Sequence, residues 1–371
     1  MRKRRLRRLA AAGVGAAAAA VATGLVVERR TVRARKAGAA GADRLGGLRS
    51  EEIRVKVGDE VTLHAEVDEV APYDTGASSA RGPVTPTKHR PGEATLVFVH
   101  GYALNLDCWH FQREHFRGRR RIVLYDQRSH GRSDRSPREE ATIDQLGRDL
   151  KVVLDELVPS GPVVLVGHSM GGMTIMALAE QHPELFGDRV IGVALLSTTA
   201  GRLRPHRIIS AHIPDLIGGS IGNRLIAGLA RAPQLVDSAR RRGSNIGFLV
   251  TDKLAFGDDV PSSYVEFVDE MLAGTPFEVL AEFFPNFESH DRFAVLAAFE
   301  KVPTTIMCGT KDLLTGIGQS RKMAERIPGA RLVEATGAGH MMIMERAGKV
   351  NETLMGLVAD AERRATASRA S

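Results

Sequence analysis

Residues 167–172 read Gly-His-Ser-Met-Gly-Gly, between the apolar run Pro162-Val163-Val164-Leu165-Val166 and the helix-forming stretch Met173–His182. A tight strand-to-helix turn at such a junction forces the serine into strained geometry and lifts its hydroxyl above the sheet. Neighbours without side chains are needed at that turn, and Gly167 and Gly171 supply them. The helix beginning near Met170 aims free backbone N–H groups, and the positive end of its dipole, at the same place. The hexapeptide therefore predicts a nucleophile, Ser169, beside half of an anion site.

Working outward, apolar runs recur at Thr95–His100, Ile122–Asp126, Val163–Val166, Val190–Ser197, Thr304–Cys308 and Arg331–Glu334. Most are short, rich in Val, Ile and Leu, and do not alternate with polar residues, as strands covered on both faces by helices do not. Helical stretches such as Ile143–Leu157 and Met173–Glu180 lie between them. The alternation predicts an α/β fold with a doubly wound, mostly parallel sheet, its core formed by residues 51–200 and 300–365. Ahead of it, the stretch Ile53–Val67 predicts a hairpin turning at Gly58-Asp59. Residues 71–93, rich in Pro, Gly, Ser and Thr, read as a long surface loop, and residues 37–50 as a linker.

The alternation stops between residues 201 and 299. This region is helical in pattern and holds nine of the thirteen phenylalanines; its first part is Arg-rich and its second rich in Asp and Glu. It reads as a helical cap inserted over the sheet.

The net charge of +7 belongs to the amino terminus: residues 1–36 carry eleven Lys and Arg against one Glu, and the other 335 residues carry 40 basic and 43 acidic side chains. A near-neutral body gives no electrostatic reason to expect a nucleic-acid partner. Within the terminus, Leu9–Val27 is a run of nineteen uncharged residues, nine Ala and three Gly among them, behind a cationic start. That pattern marks a signal or anchor segment over residues 1–36, with an apolar helix at 9–27. Membrane anchoring and export both remain open readings. Cys108 and Cys308 sit in or beside apolar stretches and read as buried reduced thiols. No Cys or His cluster has metal-ligand spacing, so neither a metal nor an organic cofactor is expected.

A serine hydroxyl needs a base to remove its proton. Where the nucleophile sits on such a turn, acid and base follow it in the chain in that order. Asp312, in Thr304–Asp312 (TTIMCGTKD), lies just past a buried strand. His340, in Val333–Glu345 (VEATGAGHMMIME), lies in a glycine-rich loop past the last strand. His182 reads as a helix-end residue, His290 precedes the acid, and His130 belongs to a structural turn. An oxyanion hole calls for the backbone N–H of Met170 and one from the loop after the first central strand, assigned to Tyr102. Tyr102, Trp109 and His168 are placed along the pocket.

On these residues the chain resembles the α/β-hydrolase superfamily, in its serine esterase or lipase-like form with a helical cap. HGYALN, YDQRSHGRS, GHSMGG, CGTKDLLT and GAGHMMIME stand where that family places its oxyanion loop, post-strand turn, nucleophile elbow, acid and histidine. The resemblance covers about residues 50–360 and departs at Ser129, where glycine is common. It implies a carboxylic ester hydrolase acting through Ser169, His340 and Asp312 on a small-molecule ester, with an apolar acyl group suggested by the Phe-rich cap. Ser169 at the elbow argues against epoxide hydrolases and haloalkane dehalogenases, which use Asp there. A cofactor-free perhydrolase (haloperoxidase-like) or acyltransferase would use the same triad. A slow-turnover, ligand-sensing relative would keep the triad and respond through its cap.

Overall fold

The computed structural model describes residues 45–58, 60–70, 92–203 and 251–370, with side chains through residue 368. The expected apolar helix at 9–27, most of the 71–93 loop and the Arg-rich first part of the cap lie outside them. Among the described residues no helix is long and apolar enough to cross a membrane.

Eight strands form one sheet: β1 (Glu52–Val57), β2 (Val61–Asp68), β3 (Thr95–Val99), β4 (Ile122–Tyr125), β5 (Val163–His168), β6 (Val190–Leu196), β7 (Thr304–Gly309) and β8 (Arg331–Ala335). Their spatial order is β1-β2-β4-β3-β5-β6-β7-β8. β1 and β2 pair antiparallel around Gly58, whose φ of 78° is the left-handed conformation a hairpin turn needs. β2 pairs antiparallel with β4, and every later pairing is parallel. All residues of β3, β4, β5, β6 and β7 are buried. That is why these runs do not alternate, and burying each Val or Leu contributes about 1.5–3 kcal/mol.

Helices cover both faces: α1 (His110–Phe116), α2 (Ile143–Leu157), α3 (Met170–Gln181), α4 (Ser262–Gly274), α5 (Phe277–Ser289), α6 (Ile317–Arg326), α7 (Met342–Glu345) and α8 (Ala347–Ala370). α2 starts where the Thr142 hydroxyl accepts from the N–H of Gln145 at 3.1 Å. It buries Ile143, Leu146, Leu150, Val153, Leu154 and Leu157, the spacing of one helix face. α3 is buried almost all round. Gly147 lets the two helices meet, since a Cβ there would lie 2.8 Å from that of Ala177.

The described half of the cap is helical. α5 sets Val279, Phe283 and Phe287 against Ile143, Leu146, Met170 and Met173 at the starts of α2 and α3. Residues 45–50, the described end of the expected 37–50 linker, are fastened to the body. The Arg49 guanidinium makes two bonds to Asp107, at 2.6 and 3.0 Å, and the Ser50 N–H donates to Glu66 at 2.8 Å. Arg113, buried against Asp68 and Glu66, also donates to the Leu48 carbonyl at 3.1 Å. A buried guanidinium needs such partners on every side, and the sequence pattern of residues 37–50 does not reveal them.

Candidate active site

From β3 the chain crosses to β4 on one side, and from β5 it crosses to β6 on the other. Loops leaving two neighbouring strands in opposite directions open a crevice at their carboxyl ends, where ligands bind in open α/β sheets. Ser169 follows β5 there, and Gly101 follows β3.

The four described non-glycine residues with positive φ are Ala103, Ser129, Ser169 and Ser197. They sit in the loops leaving β3, β4, β5 and β6, so backbone strain gathers along this edge. Ser169 has φ 52° and ψ −118°. Its surroundings hold it: its N–H donates to the Leu196 carbonyl at 2.9 Å, and its carbonyl accepts from Gly172 N–H at 2.9 Å and the Thr198 hydroxyl at 2.7 Å. The glycines fit by necessity. A Cβ on Gly167 would lie 2.6 Å from the Gly171 carbonyl oxygen, and one on Gly171 would lie 2.6 Å from the Val99 carbonyl carbon. A Cβ on Gly101 would lie 3.2 Å from that of Ser169, which shows how closely the loop after β3 approaches the serine. Ser129, where the chain departs from glycine, has a left-handed backbone with φ 63°, a conformation glycine adopts readily.

Asp312 and His340 meet. The imidazole Nδ1 lies 3.2 and 3.1 Å from the two carboxylate oxygens. An ionised carboxylate only accepts, so Nδ1 is the donor, and in the neutral imidazole Nε2 is the nitrogen that keeps a lone pair. Asp312 also accepts from Leu314 N–H at 2.9 Å, Thr315 N–H at 3.0 Å and the Thr315 hydroxyl at 2.6 Å. Burial works to raise its pKa, but the charge and hydrogen bond of His340 and the Thr315 donors outweigh it and hold the carboxyl well below its ordinary value. A further donor escaped the sequence reading: the Cys308 thiol, 3.6 Å from Asp312 Oδ2. Burial and the charge of Asp312 push that thiol up to about 12, so it stays protonated. Cys108 and Cys308 are both free and buried, as expected.

Ser169 and His340 open on one cavity of about 260 Å³. Among the described residues no hydrogen bond joins them, and such bonds commonly tighten only when substrate binds. The remaining lining is apolar, with Leu104, Leu203, Leu254, Val268, Leu272 and Phe287 among it. Tyr102 and His168 line it too. Tyr102 links the β3 loop to the cap, its hydroxyl donating to the Leu280 carbonyl at 2.6 Å. His168 donates from Nε2 to the His340 carbonyl at 3.0 Å, tying the elbow to the histidine loop. Burial and the neighbouring His340 push His168 down to about 3, so it stays neutral.

Trp109 is corrected: it is fully buried and packs behind the cavity, 5.0 Å from Phe98 and 6.3 Å from His168 between ring centroids. Phe98 and His168 pack against the ring and hold it in that layer. His130 is a turn residue, its Nδ1 donating to the Arg128 carbonyl at 2.9 Å. His290 donates to the Thr199 carbonyl at 3.1 Å, and His182 ends α3 beside Glu184; neither lines the cavity. Met170 begins α3, where first-turn N–H groups have no partner within the helix. Among the described residues no cluster of His, Cys, Asp and Glu could hold a metal ion.

The family model for the alpha/beta hydrolase fold matches residues 94–347. The chain belongs to the α/β-hydrolase family. It is 26% identical over 270 residues to the dihydrolipoyllysine-residue acetyltransferase component of an acetoin cleaving system from Pseudomonas putida, covering 72% of this chain and 64% of that one. It thus spans under two thirds of that relative's length. It is 26% identical over 246 residues to a putative carbamate hydrolase from a Caulobacter species, covering 66% of this chain and 83% of the relative. Among solved structures, a thermophilic esterase from Thermogutta terrifontis superposes with a TM-score of 0.60 at 20% identity, covering 84% of this chain and all of that one. At that identity the likeness concerns the fold.

Proposed function

We propose that the protein is a carboxylic ester hydrolase working through an acyl-enzyme, with Ser169 as nucleophile, His340 as general base and Asp312 as its orienting acid. The observation that carries the reading is the Asp312–His340 pair, whose imidazole shares one apolar cavity with a serine held at φ 52°.

The proton on Nδ1 leaves Nε2 to accept the Ser169 proton as Oγ attacks the ester carbonyl. The backbone N–H groups of Met170 and Tyr102 receive the developing oxyanion, helped by the dipole of α3. Asp312 stays ionised and stabilises the imidazolium. That cation then protonates the departing alcohol, and water attacks the acyl-enzyme by the reverse route. The Leu, Val and Phe side chains of the cavity favour an apolar acyl group. Residues 1–36 would tether or export this domain.

The test is turnover of p-nitrophenyl esters by wild-type, Ser169→Ala and His340→Ala chains. The reading expects turnover that both substitutions abolish. Turnover unchanged in Ser169→Ala removes the nucleophile assignment. Fluorophosphonate labelling of Ser169 with no turnover of any ester favours a ligand sensor instead.

A further inference from the structure

Two backbone segments cross beside His340 with no side chain between them. One is the histidine loop, residues 337–341; the other is a segment within the cap, residues 255–258, just ahead of α4. A Cβ on Gly257 would lie 2.5 Å from Ala338 C and from Gly339 N, and a Cβ on Gly339 would lie 2.5 Å from Gly257 N. Backbones this close leave N–H groups that no carbonyl in either segment can reach, and each would be costly if buried unpaired.

Glu345 answers that need. It ends the short helix α7, five residues after His340. Its Oε1 accepts from Gly339 N–H at 2.7 Å, and its Oε2 accepts from Gly257 N–H at 3.1 Å and Asp258 N–H at 3.2 Å. One carboxylate thus bonds to both segments. The Met341 N–H donates to the Ala255 carbonyl at 2.8 Å, adding a direct link on the other side of His340. Around this crossing, Arg346 pairs with Asp258 and donates to the Thr336 carbonyl at 3.1 Å, while Lys311 pairs with Asp258 at 2.8 Å. Gly339 and Met341, the residues on either side of His340, are therefore both fastened, one through Glu345 and one directly, to this cap segment.

We infer that Glu345 is a positioning residue for the reaction, clasping the histidine loop to the cap segment ahead of α4 so that the His340 ring faces Ser169. The inference rests on His340 being the general base. The clasp needs a carboxylate. Glutamine keeps the shape but offers one accepting oxygen, and its amide N–H groups would face the N–H donors of one segment or the other. Releasing either side lets the loop turn, and a misplacement near 1 Å costs about a hundredfold in rate.

The experiment compares full-length wild-type, Glu345→Gln, Glu345→Ala and Ser169→Ala chains. The readouts are kcat and KM on p-nitrophenyl butyrate below each variant's melting transition, and amide hydrogen exchange over residues 255–258 and 337–341. In Glu345→Gln the expected result is kcat lowered by about ten- to a hundredfold while KM moves by less than about threefold, with faster exchange confined to those two segments. Wild-type kcat per folded molecule in both Glu345 variants overturns the clasp, as does a loss that tracks the unfolded fraction alone. If Ser169→Ala is inactive and Glu345→Gln is like wild type, only the clasp fails. If Ser169→Ala keeps its turnover, the triad reading fails and the clasp with it.

Discussion

Gly171→Ala is the sharpest perturbation of the elbow. The added methyl would press on the Val99 carbonyl oxygen and stand 2.6 Å from its carbon and 2.8 Å from the His100 oxygen. Ordinary carbon contacts begin at about 3.5 Å, so α3 and the end of β3 must separate by roughly 1 Å. Both sides are backbone, one in the central sheet and one in a buried helix, so no flexible side chain can absorb the shift. Overpacking of this kind costs about 1–3 kcal/mol of stability. The same movement carries Ser169 away from its partners, with an expected loss of about a hundredfold in kcat/KM, or about 2.7 kcal/mol in the barrier. The matched control is Gly356→Ala, in α8, where an added methyl meets only the end of Arg331 at 3.6 Å. Replacing that exposed mid-helix glycine should raise stability by about 0.5–1 kcal/mol and leave activity alone. Thermal melts and p-nitrophenyl butyrate kinetics on both variants read this out. A Gly171→Ala chain with wild-type melting and kcat/KM refutes the strained-elbow argument.

Three further outcomes follow from the site and its surroundings. Asp312→Asn should lower kcat by about 10⁴, because an amide N–H facing Nδ1 favours the wrong imidazole tautomer; steady-state kinetics showing a loss under about tenfold contradict the role of the acid. Burial holds His100 and His168 neutral to about 3 and His130 and His290 to about 4, below the unfolded value near 6.5. Unfolding therefore takes up protons between those values. Stability is intact above about pH 6.5 and falls on acidification by about 1.4 kcal/mol per pH unit for each histidine. Burial raises Asp126 to about 6, which offsets roughly one of the four over the lower part of that range. Urea midpoints measured from about pH 7 down to about pH 5 should drop, and a flat profile contradicts the buried neutral histidines. In the cavity, each acyl methylene that fits should raise kcat/KM about fourfold until the space is full. Leu272→Trp, on the α4 wall, should move that limit to shorter esters; an unchanged chain-length profile removes Leu272 from the acyl site.

The strands β3 to β7 were legible because each is buried on both faces, so Val163–Val166 and its counterparts are unbroken apolar runs. The sequence singled out Ser169, Asp312 and His340 as residues in the loops that follow β5, β7 and β8. What the sequence concealed depends on contacts between distant segments. Trp109 stands in the loop-to-helix region after β3, but only the packing of Phe98 and His168 around it takes it out of the cavity. Leu48, Arg49 and Ser50 read as linker, since their partners Arg113, Asp107 and Glu66 belong to other segments of the chain. Glu345 and Gly257 carry no local pattern at all. Their roles arise where the cap segment ahead of α4 meets the histidine loop, and no periodicity encodes that meeting.

The central claim is that the Ser169 hydroxyl is the group made nucleophilic by His340. The most direct measurement is peptide mapping by mass spectrometry after brief exposure of wild-type and His340→Ala chains to a fluorophosphonate. The account predicts one adduct per chain, on the peptide bearing Ser169, formed far more slowly when His340 is replaced. An adduct on another residue, or equal labelling rates in the two chains, would contradict it.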